Sequence, residues 1–157
     1  MKRCGLLLAL VLASTPLHAQ QAEVATAIRG EADKFIAAIA SADIDKFCAL
    51  FTEDADFIYV DAGRIYPDRP ALRAAGAGFF RRIKTFNATW DSVKVIVQGP
   101  DGGTFTGKLR VQSATDTAGV AIWPNGKIWT LAYQRRGGRW QIIQANEANV
   151  PAPRSPR

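Results

Sequence analysis

The spacing of apolar residues along the chain changes near residue 87. Upstream of that point they recur every three or four positions, a period typical of helices that bury one stripe. From Asn87 to about residue 150 apolar and polar residues alternate instead, which is the period of a β-strand. A short alternating segment, residues 56–61, interrupts the helical half. The pattern therefore predicts an α+β domain in the order helix, helix, strand, helix and then three or four long antiparallel strands.

The three predicted helices are identified by their caps and their buried stripes. Asp43 can cap the second, short helix, and the third begins near Asp68 with Pro70 in its first turn, where proline is favoured. Gly76 and Gly78 each cost about 1 kcal/mol relative to alanine inside a helix, which predicts close contact with a neighbour or a ligand. The positions predicted to be buried are Val24, Ile28, Ala32, Phe35, Ile36 and Ile39 in the first helix, Ile44, Phe47, Cys48, Leu50 and Phe51 in the second, and Leu72, Ala75, Gly76, Phe79, Phe80 and Ile83 in the third.

Alternation in the first strand groups three side chains that carry different chemistry. In residues 56–61, the period of two places Phe57, Tyr59 and Asp61 on the same face. Gly63 follows and ends the strand. A phenol and a carboxylate are therefore predicted to point the same way at one end of this strand.

The last two strands are predicted to form a hairpin. Gly137-Gly138 supplies the positive φ angles that a tight turn requires, and Asn125-Gly126 is a second hairpin signal upstream. The side chains that alternation places on one face are Trp129, Leu131 and Tyr133 in the penultimate strand and Trp140, Ile142, Gln144 and Asn146 in the last strand.

The first nineteen residues have the pattern of a secretory leader. Lys2 and Arg3 precede a short apolar run, and Ala19 supplies the small residue before a cleavage site. Cys4 lies ahead of the apolar run, whereas a lipidated cysteine would follow it, so no membrane anchor is expected after cleavage. We therefore predict a periplasmic or secreted protein with one domain, residues 20–150, followed by a disordered tail at residues 151–157.

Composition narrows the chemistry of the mature chain. The leader contains two of the 20 basic residues, so the mature chain has 18 basic and 14 acidic residues and a net charge of +4. The basic residues are spread along the chain, which does not predict nucleic-acid binding. His18 and Cys4 leave with the leader, and Cys48 is then a single thiol that is expected to lie in the core. Without imidazole, Ser-His-Asp and Cys-His catalysis are excluded in their usual forms, and zinc binding is disfavoured. We expect no metal and no cofactor, and acid–base chemistry falls to carboxylates, tyrosines or lysines.

Two segments resemble a known superfamily. They are Ala42-Asp-Ile-Asp-Lys-Phe-Cys-Ala-Leu-Phe-Thr-Glu-Asp-Ala-Asp-Phe57, at the second helix and first strand, and Gly138-Arg-Trp-Gln-Ile-Ile143, at the last strand. Together with the element order, they resemble the SnoaL-like and ketosteroid-isomerase-like branch of the nuclear-transport-factor-like superfamily over residues 22–150. The resemblance implies a cone-shaped fold with three N-terminal helices packed in the concave face of a strongly bent, mainly antiparallel sheet. It also implies an apolar pocket with a few polar groups, and a homodimer.

The resemblance also implies candidate site residues. Ketosteroid isomerases have an aspartate base near the end of the first strand, where this chain has Asp61 and Tyr59. Their tyrosine and aspartate donors have no counterpart here, since the first helix lacks tyrosine and residues 104–113 lack a carboxylate. The remaining candidates for contact with a ligand are Trp129, Tyr133, Asn146 and Arg110. The alternative for Asp61 is a turn residue that bonds its own backbone before Gly63.

Three functions remain compatible with these residues. The first is binding of a small, largely apolar molecule, which the asparagine at position 146 favours because many relatives have a histidine at the corresponding place. The second is a cofactor-free isomerase, cyclase or lyase that acts on a carbonyl compound, with Asp61 as base and Tyr59 or Asn146 assisting. The third is a dimerisation or interaction module whose interior is filled by side chains.

Overall fold

A computed structural model describes residues 15–152, which form three helices and six strands. The elements are α1 (Thr15–Ala40), α2 (Ile44–Cys48), β1 (Ile58–Asp61), β2 (Arg64–Tyr66), α3 (Arg69–Arg82), β3 (Ile83–Val97), β4 (Gly102–Asp116), β5 (Lys127–Arg136) and β6 (Arg139–Asn149). The predicted order of helices and strands is confirmed, and so is the α+β cone in which the helices cover one face of an open, mainly antiparallel sheet.

The sheet brings the first strand next to the last. Its order is β2-β1-β6-β5-β4-β3, with β1 parallel to β6 and every other neighbouring pair antiparallel. In this register Asp61 of β1 is the partner of Glu147 of β6. Paired residues on adjacent strands point to the same face, so these two carboxyl side chains are neighbours although 85 residues separate them in the chain.

Capping and packing place the helices as the sequence predicts. The Asp43 carboxylate accepts hydrogen bonds from the backbone N–H groups of Asp45 and Lys46, and Asp68 caps α3 through Ala71. Every residue of the predicted α1 stripe is buried, and they are Val24, Ile28, Ala32, Phe35, Ile36 and Ile39. Phe35 lies at the centre of the core, with ring centroids of Phe47 and Trp129 at 5.1 and 5.3 Å. The helices therefore pack on the inner face of the sheet through an aromatic core.

Two element boundaries differ from the prediction. Strand β3 begins at Ile83, not after Asn87, because Ile83 already has an extended backbone and ends α3. Strand β2 was not predicted, since three residues are too short to show a period.

The connection between β4 and β5 is longer than a two-residue hairpin. Gly126 has a φ of +82°, and a Cβ there would lie 2.1 Å from the Leu109 carbonyl oxygen, so only glycine fits. Asn125-Gly126 therefore forms a turn within the 117–126 connection, and the two-residue hairpin turn is found at Gly137-Gly138, with φ angles of 55° and 78°.

A β-bulge reverses the faces of the last strand. In the antiparallel pairing of β5 with β6, Tyr133 pairs with Ile142, whereas Ala132, the residue before Tyr133, pairs with Gln144. Ile143 therefore has no partner on β5. Beyond this bulge the buried positions of β6 are Ala145 and Glu147. The prediction that Gln144 and Asn146 share the face of Ile142 is wrong, because one extra residue shifts the alternation.

The predicted leader and tail lie largely outside the described residues. Residues 1–14 and 153–157 fall there, whereas residues 15–19 belong to α1 and the packing of that helix begins at Val24. Among residues 15–152, no helix has both the length and the apolar composition that a bilayer span requires.

Candidate functional site

A cavity of about 200 Å³ lies between α2, α3 and the inner face of the sheet. Aromatic and aliphatic side chains form most of its wall, including Phe47, Phe79 and Leu72. Five polar side chains also reach it, and they are Tyr59, Asp61, Tyr66, Lys127 and Glu147. The interior is therefore not completely filled by side chains, and a partly polar cavity remains.

Lys127 and Glu147 form an ion pair at this cavity. Lys127 is the first residue of β5, and its ammonium donates to Oε1 of Glu147 on the neighbouring strand β6. Both side chains are only 6% exposed. Charges this deeply buried are costly unless they are paired, so each group depends on the other.

The second oxygen of Glu147 is bound by two further donors. The Tyr59 hydroxyl and the Trp129 indole N–H both donate to Oε2, the latter at 3.2 Å. Burial raises the pKa of Glu147, while Lys127 opposes this and the nearby Asp61 carboxyl adds to it. Burial, together with the Glu147 carboxylate, raises the pKa of Tyr59 well above its ordinary value, so the phenol is a hydrogen-bond donor at neutral pH.

Asp61 is the more accessible carboxylate of the site. Its side chain is 37% exposed, and its Oδ1 lies 3.9 Å from the Lys127 ammonium nitrogen. It ends β1, and the chain then turns sharply at Ala62 and Gly63, with φ angles of 47° and 82°. Asp61 therefore borders the cavity beside a buried cation, at a point where a ligand can reach it.

Trp123 forms an aromatic wall next to the ion pair. Its ring stacks on Phe79 with centroids 5.1 Å apart, and the Lys127 nitrogen lies 5.1 Å from the Trp123 ring centroid. The backbone of Trp123 has a φ of 47°, an unfavourable conformation for a bulky side chain. Packing against Phe79 and Trp129 holds the indole in this place.

The third helix contributes the opposite wall. Gly76 borders the cavity, and a Cβ there would lie 2.9 Å from Cδ1 of Ile44 in α2. The predicted close contact is therefore confirmed at Gly76. A Cβ added at Gly78 would meet no atom within 4 Å, so packing does not require glycine at that position.

The structure brings together three of the six site residues predicted from sequence. Tyr59, Asp61 and Trp129 all border the cavity. Tyr133 is buried on the same face of β5 as Trp129, but its register partner Gly103 lies against Ile28 of α1, away from the cavity. Among the described residues, the Tyr133 hydroxyl has no hydrogen-bond partner.

Arg110 and Asn146 lie on the outer face of the sheet. Leu109 faces inward, so alternation turns Arg110 outward, where it pairs with Asp91 at 3.1 Å. Asn146 points outward because of the bulge at Ile143. Neither side chain lines the cavity, so the structure does not bring these two predicted contact residues to it.

Sequence reasoning missed Lys127 and Glu147. Lys127 precedes Trp129 by two residues, so strand alternation places it on the same inner face as Trp129, Leu131 and Tyr133. The sequence therefore contained the signal for its inward position. Glu147 could not be found in this way, because simple alternation from Ile142 places it outside.

Metal binding and thiol chemistry have little support in the described part of the chain. No three His, Cys, Asp or Glu side chains between residues 15 and 152 are grouped as a metal site requires. Cys48 is a buried free thiol, as predicted, and burial raises its pKa.

Comparison with known families and structures gives consistent matches. A family model described as a SnoaL-like domain matches residues 28–153. No curated protein matches the chain by sequence. Among solved structures, a proposed dehydratase of the NTF2-like family from Streptomyces avermitilis superposes with a TM-score of 0.69 at 16% identity, covering 83% of this chain and 99% of that one. A ketosteroid isomerase-like protein from Erwinia carotovora atroseptica superposes with a TM-score of 0.66 at 18% identity, over 82% of this chain and 98% of that one. An NTF2-like protein of unknown function from Pseudomonas putida superposes with a TM-score of 0.64 at 18% identity, over 81% of this chain and 87% of that one.

Proposed function

The chain belongs to the SnoaL-like domain family, and on this premise we propose that its cavity binds a small, mainly apolar molecule with at least one hydrogen-bonding group. The apolar wall and the few converging polar groups are the usual composition of a small-molecule site. A cavity of about 150 Å³ can hold benzene. The 200 Å³ found here therefore suits a molecule built on a single ring, part of which can extend into solvent.

The buried Lys127–Glu147 pair is the observation that carries this proposal. If this part of the interior served only for packing, apolar residues at positions 127 and 147 would make the protein more stable. Burying two charges costs several kcal/mol per ion before the ions pair. Here the pair borders the cavity. It gives the site a fixed polar end that can orient a ligand's hydrogen-bonding group.

A second candidate function, proton transfer on a carbonyl compound, is favoured by the accessible carboxylate. Asp61 is more exposed than Glu147 and lies at the polar end of the cavity, where it can accept a proton from a bound molecule. This would make the protein an isomerase, cyclase or lyase. The fold alone does not choose between binding and catalysis, because the same fold has many functions.

Export and dimer formation belong to the same proposal. The leader pattern at residues 1–19 supports a periplasmic or secreted location, and the family resemblance supports a homodimer. Fractionation of a tagged full-length protein and native mass spectrometry of residues 20–157 test the two points separately.

Binding is tested first with the protein itself. We expect residues 20–157, exported in a bacterial host, to release a small molecule when denatured after native mass spectrometry, or to bind cyclohexanone or phenol in saturation-transfer NMR. Ala75→Phe places a ring at the cavity wall and should abolish binding. Ala74→Phe, on an exposed position of α3 outside the cavity, is the matched control. Equal binding by the two variants would place the ligand elsewhere and refute the proposal.

A further inference from the structure

We propose that Lys127 is a catalytic residue that donates a hydrogen bond to the carbonyl oxygen of a small ketone or aldehyde while Asp61 removes a proton from the adjacent carbon. The inference rests on the proton-transfer function proposed above and names its substrate class. It also supplies the donor to the developing oxyanion that could not be identified from the sequence.

The ammonium of Lys127 has donor capacity left for a ligand. It carries three N–H groups, and among the described residues its one hydrogen bond goes to Glu147. Asp61 Oδ1, at 3.9 Å, is beyond hydrogen-bond distance, and the Trp123 ring covers another side. Because Lys127 also borders the cavity, a ligand oxygen can accept one of the remaining N–H groups.

The spacing of Asp61 and Lys127 suits a carbonyl compound. Standard bond lengths place a carbonyl oxygen and its α-carbon about 2.4 Å apart. A base and a donor separated by 3.9 Å can therefore contact the α-proton and the oxygen of the same molecule. A fixed cation close to the oxygen is most effective in a site from which water is largely excluded, and the Lys127 side chain is 6% exposed.

Glu147 acts as a positioning residue in this arrangement. Its Oε1 holds the Lys127 ammonium, while Tyr59 and Trp129 occupy Oε2. The carboxylate is therefore tied at both oxygens and keeps the ammonium at the cavity. Asp61 pairs with the same ammonium only at 3.9 Å and is 37% exposed, so its carboxylate remains available as the base.

The proposed step is balanced without a redox partner. The Asp61 carboxylate takes the α-proton, the electrons of the C–H bond form the carbon–carbon double bond of an enolate, and the carbonyl π electrons move to the oxygen that accepts from Lys127. The protonated Asp61 then returns the proton to carbon, at the same or a conjugated position. In D₂O the returned proton is replaced by a deuteron after exchange with solvent.

The first test measures exchange of the α-protons of cyclohexanone in D₂O by NMR. We expect the wild-type protein to accelerate exchange and Asp61→Asn to abolish the acceleration. Lys127→Met should lower it by about 10²- to 10³-fold, the usual effect of removing one donor to an oxyanion. Lys108→Met, on an exposed position of β4, is the matched control and should exchange like wild type.

A second test covers the case in which Lys127→Met does not fold. The variant Lys127→Met/Glu147→Gln removes both charges of the buried pair, and circular dichroism checks that it is folded. In an Asp61→Asn background, bound 4-nitrophenol should show a larger phenolate absorption when Lys127 is present than when both charges are removed. Loss of that difference would overturn the role of Lys127 even if the single variant is unstable.

The outcomes separate this inference from the function on which it rests. Exchange that needs Asp61 but is unchanged in a folded Lys127 variant would overturn the role of Lys127 and leave proton transfer standing. Absence of exchange in the wild type would overturn both, while cyclohexanone binding seen by saturation transfer would still support the binding site. Mass-spectrometric trapping of Lys127 with cyclohexanone and cyanoborohydride would show a covalent imine, and would also overturn the hydrogen-bond role.

Discussion

Replacing Lys127 alone should destabilise the protein much more than replacing Lys127 and Glu147 together. In Lys127→Met the Glu147 carboxyl, which is 6% exposed, keeps its two neutral donors but loses the one cation that pairs with it among residues 15–152. Breaking a buried ion pair in this way costs about 3–5 kcal/mol. For a protein of this length that corresponds to a fall in Tm of roughly 6–20 °C.

The double variant separates the charge from the packing. In Lys127→Met/Glu147→Gln, neither charge of the buried pair remains, and Asp61, the other charged group at the cavity, is 37% exposed to solvent. The new amide oxygen can still accept from Tyr59 and Trp129. Replacing both partners of a buried pair is often neutral, so we expect most of the lost stability to return.

The assay is urea unfolding at pH 7, followed by the fluorescence of the buried Trp129 and the other tryptophans. Arg110→Met, which removes an exposed ion pair with Asp91, should change the midpoint little and serves as a control. A double variant as unstable as the single one would refute the reasoning, because the cost would then come from lost packing around the Lys127 chain and not from an unpaired Glu147.

Three further predictions follow from single contacts. Gly78→Ala should stabilise α3 by about 0.5–1 kcal/mol because its Cβ meets nothing, whereas Gly76→Ala should gain less, since its Cβ must displace Ile44; urea unfolding compares them. Tyr133→Phe removes a buried hydroxyl without a partner among residues 15–152 and should leave stability unchanged or higher in the same assay. Burial raises the pKa of Glu147 above its ordinary 4.5, so the folded protein binds a proton at this carboxylate more tightly than the unfolded chain does. The wild type should therefore lose stability as the pH rises from 4.5 through the raised pKa. Glu147→Gln should flatten this dependence, and a series of unfolding curves across the range checks it.

The elements that could be predicted are those determined by local chemistry. Asp43 and Asp68 cap helices because their side chains reach backbone N–H groups two or three residues away. Gly137-Gly138 forms the hairpin turn because two adjacent glycines tolerate positive φ. In each case the determining contacts lie within a few residues, so the sequence contains the whole cause.

The candidate site could be predicted only in part, because two of its causes are not local. Alternation correctly grouped Tyr59 with Asp61 and turned Trp129 inward. The bulge at Ile143 has no glycine or proline to mark it, and it becomes visible only in the register between β5 and β6. Simple alternation from Ile142 therefore places Asn146 on the inner face, whereas the structure has Glu147 there.

The site also depends on a pairing that joins distant parts of the chain. Asp61 meets Glu147 because β1 lies parallel to β6, and Lys127 meets both because β5 lies on the other side of β6. Each of these strands contributes one charged group to the cavity, so no single segment carries the site. A ligand held by these groups would stabilise the three central strands together, and hydrogen exchange in β1, β5 and β6 should then slow in concert when cyclohexanone or phenol is bound. Protection confined to one strand would show that the three groups do not bind the ligand jointly.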